Sequence, residues 1–155
     1  MIDDPTILVI EDSPEDLVTT ARAFQKAGIR RPIQHCADGD EALDYLFRRG
    51  AYANLAKEPL PDMVLLDLNI PGTDGRELLM EMRRDARLRN IPVIVLSTSD
   101  DDIDVEYCYR AGANSYMLKP VDLPSFQEAI RKLTEYWFDV VLLPMKSDMR
   151  PERVA

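Results

Sequence analysis

Short apolar runs alternate with longer amphipathic stretches along this chain, and the alternation predicts a parallel sheet wrapped by helices. Five runs have strand length and composition: TILVIE (6–11), IQHCA (33–37), DMVLLD (62–67), PVIVLS (92–97) and SYML (115–118). Five helices are expected between and after them. The first opens on Ser13, Pro14, Glu15 and Asp16: an N-cap, a proline with φ pre-set for the first turn, and acids that suit the positive helix end. Its stripe of Leu17, Ala21, Phe24 and Ala27 has helical spacing and stops at Gly28. The second is expected from Asp38 to Arg49, the third from Asp74 to about Arg84 and the fourth from about Asp101 to Ala111. The last begins near Asp122, and Leu123, Phe126, Ile130, Leu133 and Trp137 make one apolar seam. Two stretches fall outside a minimal five-unit domain, AYANLAKEPLP (51–61) and the tail after about Trp137.

Length and composition narrow the class. The 155 residues suit one α/β domain, and 46% hydrophobic with 30% charged residues is the balance of a packed globular fold. Lys plus Arg total 19 against 28 Asp plus Glu, a net charge of -9, with no basic cluster to meet a phosphate backbone; nucleic acid is not an expected partner. The longest apolar runs are too short to span a bilayer, and the acidic start lacks the basic residues of a secretory signal. A cytoplasmic protein is expected. Cys36 and Cys108 stand in no metal or redox spacing and read as small buried apolar residues.

Candidate chemistry collects at the strand ends. In an open parallel sheet, ligands bind beyond the carboxyl ends of the strands, where strand order reverses. The first strand runs into Glu11 and Asp12, the third ends on Asp67, the fourth on Ser97, and the fifth runs into Lys119 and Pro120. Three carboxylates gathered there repel one another and call for protons or a cation. With one ammonium, a divalent ion balances the formal charge, and Mg²⁺ prefers such oxygen ligands and commonly holds phosphate. The site could bind phosphate only, or take a phosphoryl group covalently on Asp67. In the second case Asn69 would offer a backbone carbonyl to the metal, Gly72 and Gly75 would let the loop turn, and Ser97 and Lys119 would contact phosphoryl oxygens.

From residue 5 to about 138 the chain resembles the receiver domain of two-component response regulators. The resemblance is carried by VIEDSPED, LLDLNIPGTDG, IPVIVLSTS and AGANSYMLKP. It implies a flavodoxin-like (βα)5 doubly wound sheet of strand order 2-1-3-4-5 with a C-terminal extension. It also implies a phosphoacceptor at Asp67, an acid pocket of Glu11 and Asp12 around Mg²⁺, and Asp12, Asp67 and the carbonyl of Asn69 as protein ligands. Ser97, five after Pro92, falls on the switch hydroxyl position, Lys119 on the phosphate-contacting lysine, and Tyr116 on the switch aromatic. A cis bond before Pro120 is implied too. The 51–61 loop and the YWFDVVLLP end resemble the single-domain regulators paired with phytochrome-type histidine kinases, which would make such a kinase the partner.

With a receiver over 1–138 and only an arm over 139–155, output is expected through protein contact. FDVVLLP (138–144) is apolar enough to suggest a homodimer through the last helix and this tail. The rival is a Mg²⁺-dependent aspartyl phosphatase of the haloacid dehalogenase type. That class needs a second Asp two after the nucleophile, and Asn69 cannot shuttle a proton. A binding-only pseudo-receiver would lack part of the acid pocket or the lysine, and all are present here.

Overall fold

The computed structural model describes residues 5–144. Its five parallel strands are β1 (Ile7–Ile10), β2 (Gln34–Cys36), β3 (Met63–Asp67), β4 (Val93–Ser97) and β5 (Ser115–Leu118), in the order 2-1-3-4-5. The helices are α1 (Pro14–Lys26), α2 (Gly39–Phe47), α3 (Gly75–Arg84), α4 (Asp102–Arg110) and α5 (Leu123–Thr134). Each expected element is present; β5 has the expected ends, most others are trimmed by a residue or two, and α5 stops three residues before Trp137.

Side chains alternate across the sheet, so one strand feeds two cores. Leu8, Ile10, Val64, Leu66, Val93 and Val95 face α2, α3 and Cys108 of α4. Ile7, Val9, Met63, Leu65, Ile94 and Leu96 face Ala23 and Phe24 of α1 and Phe126, Ile130 and Leu133 of α5. Both cysteines are buried as free thiols. Among the described residues no helix is long and apolar enough to cross a membrane.

Three details differ from the sequence expectation. In α1 the buried residues are Thr20, Ala23 and Phe24, while Ala21 is half-buried. The Thr20 hydroxyl donates to the Asp16 carbonyl at 2.8 Å, which satisfies the polar group inside the core. In α5, Leu123 is 52% exposed, so the seam begins at Phe126. The helix also changes character at Thr134, whose hydroxyl donates to the Ile130 carbonyl at 2.8 Å; Glu135–Val140 then follows as a π-type turn that still packs Trp137 and Phe138 on the core. Finally, no cis peptide bond occurs among the described residues, so the bond before Pro120 is trans. Trans is the lower-energy isomer even before proline, and Lys119 meets its contacts with the bond in that form.

The 51–61 stretch is ordered against the domain. It enters as a 3-10 helix (Gly50–Leu55), and Tyr52 meets Tyr45 edge to face at 5.2 Å. Arg48, in the left-handed conformation after α2, donates to the carbonyls of Tyr45 and Pro59, both at 2.8 Å.

Candidate functional site: an acid pocket closed by a lysine

Register brings the site together. Ile10 pairs with Leu66, so Glu11, one residue on, lies level with Asp67 at the end of β3. Asp67 pairs with Leu96 and Ser97 with Leu118, which puts Ser97 and Lys119 one step further out. The crevice therefore opens between β1 and β3, where the strand order reverses.

The loop after β3 is held by close backbone approach. The Gly39 N–H, at the start of α2, donates to the Pro71 carbonyl at 3.0 Å, and a Cβ on Gly39 would stand 1.9 Å from the Thr73 carbonyl oxygen. Gly72 turns the loop with φ of 75°, a conformation that favours glycine. Gly72 was legible in the sequence, whereas the need for Gly39 exists only because two distant segments touch.

Glu11, Asp12 and Asp67 each place a carboxylate oxygen within 4.8 Å of the others'. Glu11 is buried, Asp67 half-buried and Asp12 exposed, a gradient from the sheet to solvent. Burial and the neighbouring Asp67 push the Glu11 carboxyl up to about 7, against the pull of the Ser13 N–H and the Lys119 charge. Such a donor set, oxygen only and short of positive charge, fits a hard divalent cation.

The Lys119 ammonium reaches Glu11 Oε2 at 3.1 Å, Asp67 Oδ2 at 3.4 Å and Asp16 Oδ2 at 2.6 Å. Burial disfavours its charge, but the hydrogen bond to Asp16 and the charges of Asp67 and Glu11 prevail and hold the ammonium above its ordinary value. Asp16 is the residue that sequence reasoning missed as part of the site, having explained it as an acid favourable to the helix dipole. The available signal was its spacing, one helical turn after Asp12. The Ser13 side chain caps the Asp16 N–H at 3.3 Å, which fixes the turn that aims this carboxylate at Lys119.

The remaining predicted residues surround this centre without all touching it. The Asn69 N–H donates to Asp67 Oδ1 at 3.1 Å. Ser97 is buried at the end of β4, and its Oγ accepts from the Ser99 N–H at 3.1 Å. Tyr116 is half-buried on the core, and its hydroxyl donates to the Ser99 carbonyl at 2.7 Å instead of lying in water. His35 Nε2 stands 2.7 Å from the Glu11 carbonyl oxygen, a backbone contact beside the pocket.

The raised Glu11 fixes the sign of a pH effect. Unfolded, this carboxyl loses its proton near 4.5; folded, near 7, so the folded state binds more protons between those values. In buffer free of divalent cations, Glu11's contribution to stability should be fully present below pH 4.5 and fall by on the order of 3 kcal/mol as pH rises past 7. Denaturant melts across that range should show the decline, its absence in Glu11→Gln, and its reversal by Mg²⁺. A decline that persists unchanged in Glu11→Gln would assign the effect to other groups.

The family model for the response regulator receiver domain matches residues 7–131. "Response regulator Rcp1" of Synechocystis sp. is 34% identical over 138 residues, which is 89% of this chain and 92% of that protein. "Probable methanogenesis regulatory protein FilR2" of Methanothrix harundinacea is 39% identical over 132 residues, 84% of this chain and 82% of that one. Among solved structures, the phosphorylated cyanobacterial phytochrome response regulator RcpA superimposes with a TM-score of 0.85 at 34% identity, covering 92% of this chain and 99% of that one. The Mn²⁺-bound form of Rcp1 does so with 0.83 at 33%, covering 91% and 99%. Sequence, sheet order and acid pocket thus lead to one family, and nothing favours the phosphatase: the chain belongs to the response regulator receiver family and is a two-component signalling protein, not an enzyme.

Proposed function

We propose that Asp67 is the residue that receives the phosphoryl group, from a histidine kinase of the phytochrome type. The observation that carries this is the position of its carboxylate: at the end of β3, beside Glu11 and Asp12, and 3.4 Å from the Lys119 ammonium. An Asp67 oxygen attacks phosphorus, an acyl phosphate O–P bond forms, and the P–N bond to the kinase imidazole breaks with the electron pair leaving on that nitrogen. Lys119 turns from the carboxylate toward a phosphoryl oxygen, and the Ser97 hydroxyl donates to another. Glu11, Asp12, Asp67 and the Asn69 carbonyl would hold Mg²⁺, which would supply positive charge against the phosphoryl oxygens. The kinase type rests on the likeness to RcpA, described as a phytochrome response regulator. With Mg²⁺ and acetyl phosphate, an acid-stable, alkali-labile adduct is expected, on a peptide containing Asp67. An adduct on any other residue would overturn the assignment.

The receiver then spans 1–138, and the cytoplasm is the compartment of a kinase substrate. Residues 139–155 form the arm of a homodimer; 145–155 lie outside the described residues. Beyond Trp137 the chain exposes Val140 (67%) and Leu142 (99%), and Tyr136 and Trp137 themselves line an apolar pocket of about 340 Å³ with Met117 and Leu133. Apolar surface of this kind is most simply covered by a second copy. Val140→Glu with Leu142→Glu changes only exposed positions, so the monomer should fold. Light scattering at micromolar concentration should give a dimer for the parent chain and a monomer for the variant; an unchanged mass would remove the arm from the interface.

A further inference from the structure

Ser99 lies outside the acid pocket, yet all of its polar groups are engaged. Its N–H donates to Ser97 Oγ at 3.1 Å, and its carbonyl accepts from the Tyr116 hydroxyl at 2.7 Å. Its own hydroxyl donates to Asp104 Oδ2 at 2.8 Å and accepts from the Asp101 N–H at 3.2 Å. One residue thus touches both proposed switch positions and the first turn of α4.

The chain of contacts continues across the site. The other oxygen of Asp104, Oδ1, accepts from Arg76 Nη2 at 2.7 Å, and Arg76 Nη1 lies 3.5 Å from Asp74, the N-cap of α3. Asp74 ends the loop that begins after Asp67. A continuous set of side chains, Asp74–Arg76–Asp104–Ser99, therefore joins the loop after β3 to the loop after β4, which flank the carboxylate from two sides. Arg76 and Asp104 are 28% and 30% exposed at their side chains, so their pair is less screened than the open surface pairs of this molecule. The Ser99 hydroxyl and the Arg76 guanidinium hold the Asp104 carboxyl below its ordinary range, and the strut stays charged at neutral pH.

The geometry also indicates which conformation the strut favours. Ser97 accepts from the Ser99 N–H through its oxygen, which leaves its single hydrogen free for another acceptor. Tyr116 packs half-buried with its hydroxyl on the Ser99 carbonyl, the inward position. Contacts made in one conformation stabilise that conformation over its alternatives. We propose that Arg76, Asp104 and Ser99 are positioning residues that brace the β4–α4 loop with Tyr116 inward and the Ser97 hydroxyl free, so that the loop is set for a phosphoryl group on Asp67 before it arrives. The inference rests on the reading of Asp67 as phosphoacceptor.

The test is titration of the full chain with beryllium fluoride and Mg²⁺, a phosphoryl mimic, followed by calorimetry and by the NMR signal of the Tyr116 ring. Ser99→Ala keeps both backbone bonds and removes only the hydroxyl; Asp104→Asn breaks the charge pair. Each should weaken the mimic about fivefold to tenfold and move the Tyr116 signal toward that of an exposed ring, while Ser99→Thr, which keeps a hydroxyl, should bind as the parent does. The double variant should lose no more than the worse single, because both break one chain of contacts. Parent-like affinity in both single variants, or a fully additive loss in the double, would overturn the strut alone. A parent chain that takes no beryllium fluoride would overturn the phosphoacceptor reading and the strut with it. Lower melting temperature with unchanged affinity would show a structural role only and also refute the proposal.

Discussion

Asp67→Asn is expected to abolish acyl phosphate formation while raising the stability of the chain. An amide has no anionic oxygen to attack phosphorus, so labelling by acetyl phosphate should drop to background. The second half follows from Glu11. Asp67, through its hydrogen bond and charge, is a main cause after burial of the elevated Glu11 pKa. Without that charge Glu11 ionises closer to its ordinary value, and the penalty that grows through pH 7 shrinks. Lys119 keeps Glu11 and Asp16 as partners. A protein that labels no longer but melts higher above pH 7 separates a lost nucleophile from a lost fold, since a site shaped for function is commonly a strained one. Persistent labelling, or a lower melting temperature above pH 7, would contradict this account.

Lys119→Met is expected to do the reverse to stability. The Lys119 side chain is 13% exposed, and its ammonium meets Glu11 and Asp67, themselves 4% and 12% exposed at their side chains. Removing it leaves buried carboxylates without their cation, for which a loss of about 3–5 kcal/mol is typical. The Asp16 contact adds little to this figure, because Asp16 is 45% exposed and water can replace the ammonium there. The loss should depend on pH in a fixed direction. Lys119 lowers the Glu11 pKa, so without it Glu11 holds its proton further above 7, and the variant's deficit is larger above pH 7 than near pH 5. Urea midpoints on both sides of pH 7 measure this, and Mg²⁺ should recover part of the deficit by taking over the charge. Equal deficits at both pH values would mean that Lys119 contributes packing and not charge.

Much of this was legible before any fold was known, for identifiable reasons. The strand runs are continuous apolar segments because both faces of a parallel sheet are covered, and a side chain as costly to bury as Asp67 marks the point where cover ends. Helix starts were equally explicit: Ser13, Asp38, Asp74, Asp101 and Asp122 all accept a backbone N–H of the following turn. Local chemistry explains each of these within a few residues of sequence.

Longer-range relations were not legible. Asp16 looks like helix-dipole chemistry until the register of β1, β3, β4 and β5 sets Lys119 beside it, 103 residues away in the chain. Gly39 needs its missing side chain only because Thr73 arrives against it. Leu123 has seam spacing, yet its place in the first turn of α5 leaves it exposed. Ser99, Asp104 and Arg76 read as ordinary loop and surface residues, and become one strut when α3 and α4 dock side by side. The sequence by itself determined the elements, the fold class and the residues of the acid pocket, because these depend on spacing, burial pattern and local capping. The tertiary structure alone decided which carboxylate holds the lysine and how the two flanking loops are joined, because those contacts depend on register and packing between segments that no local pattern connects.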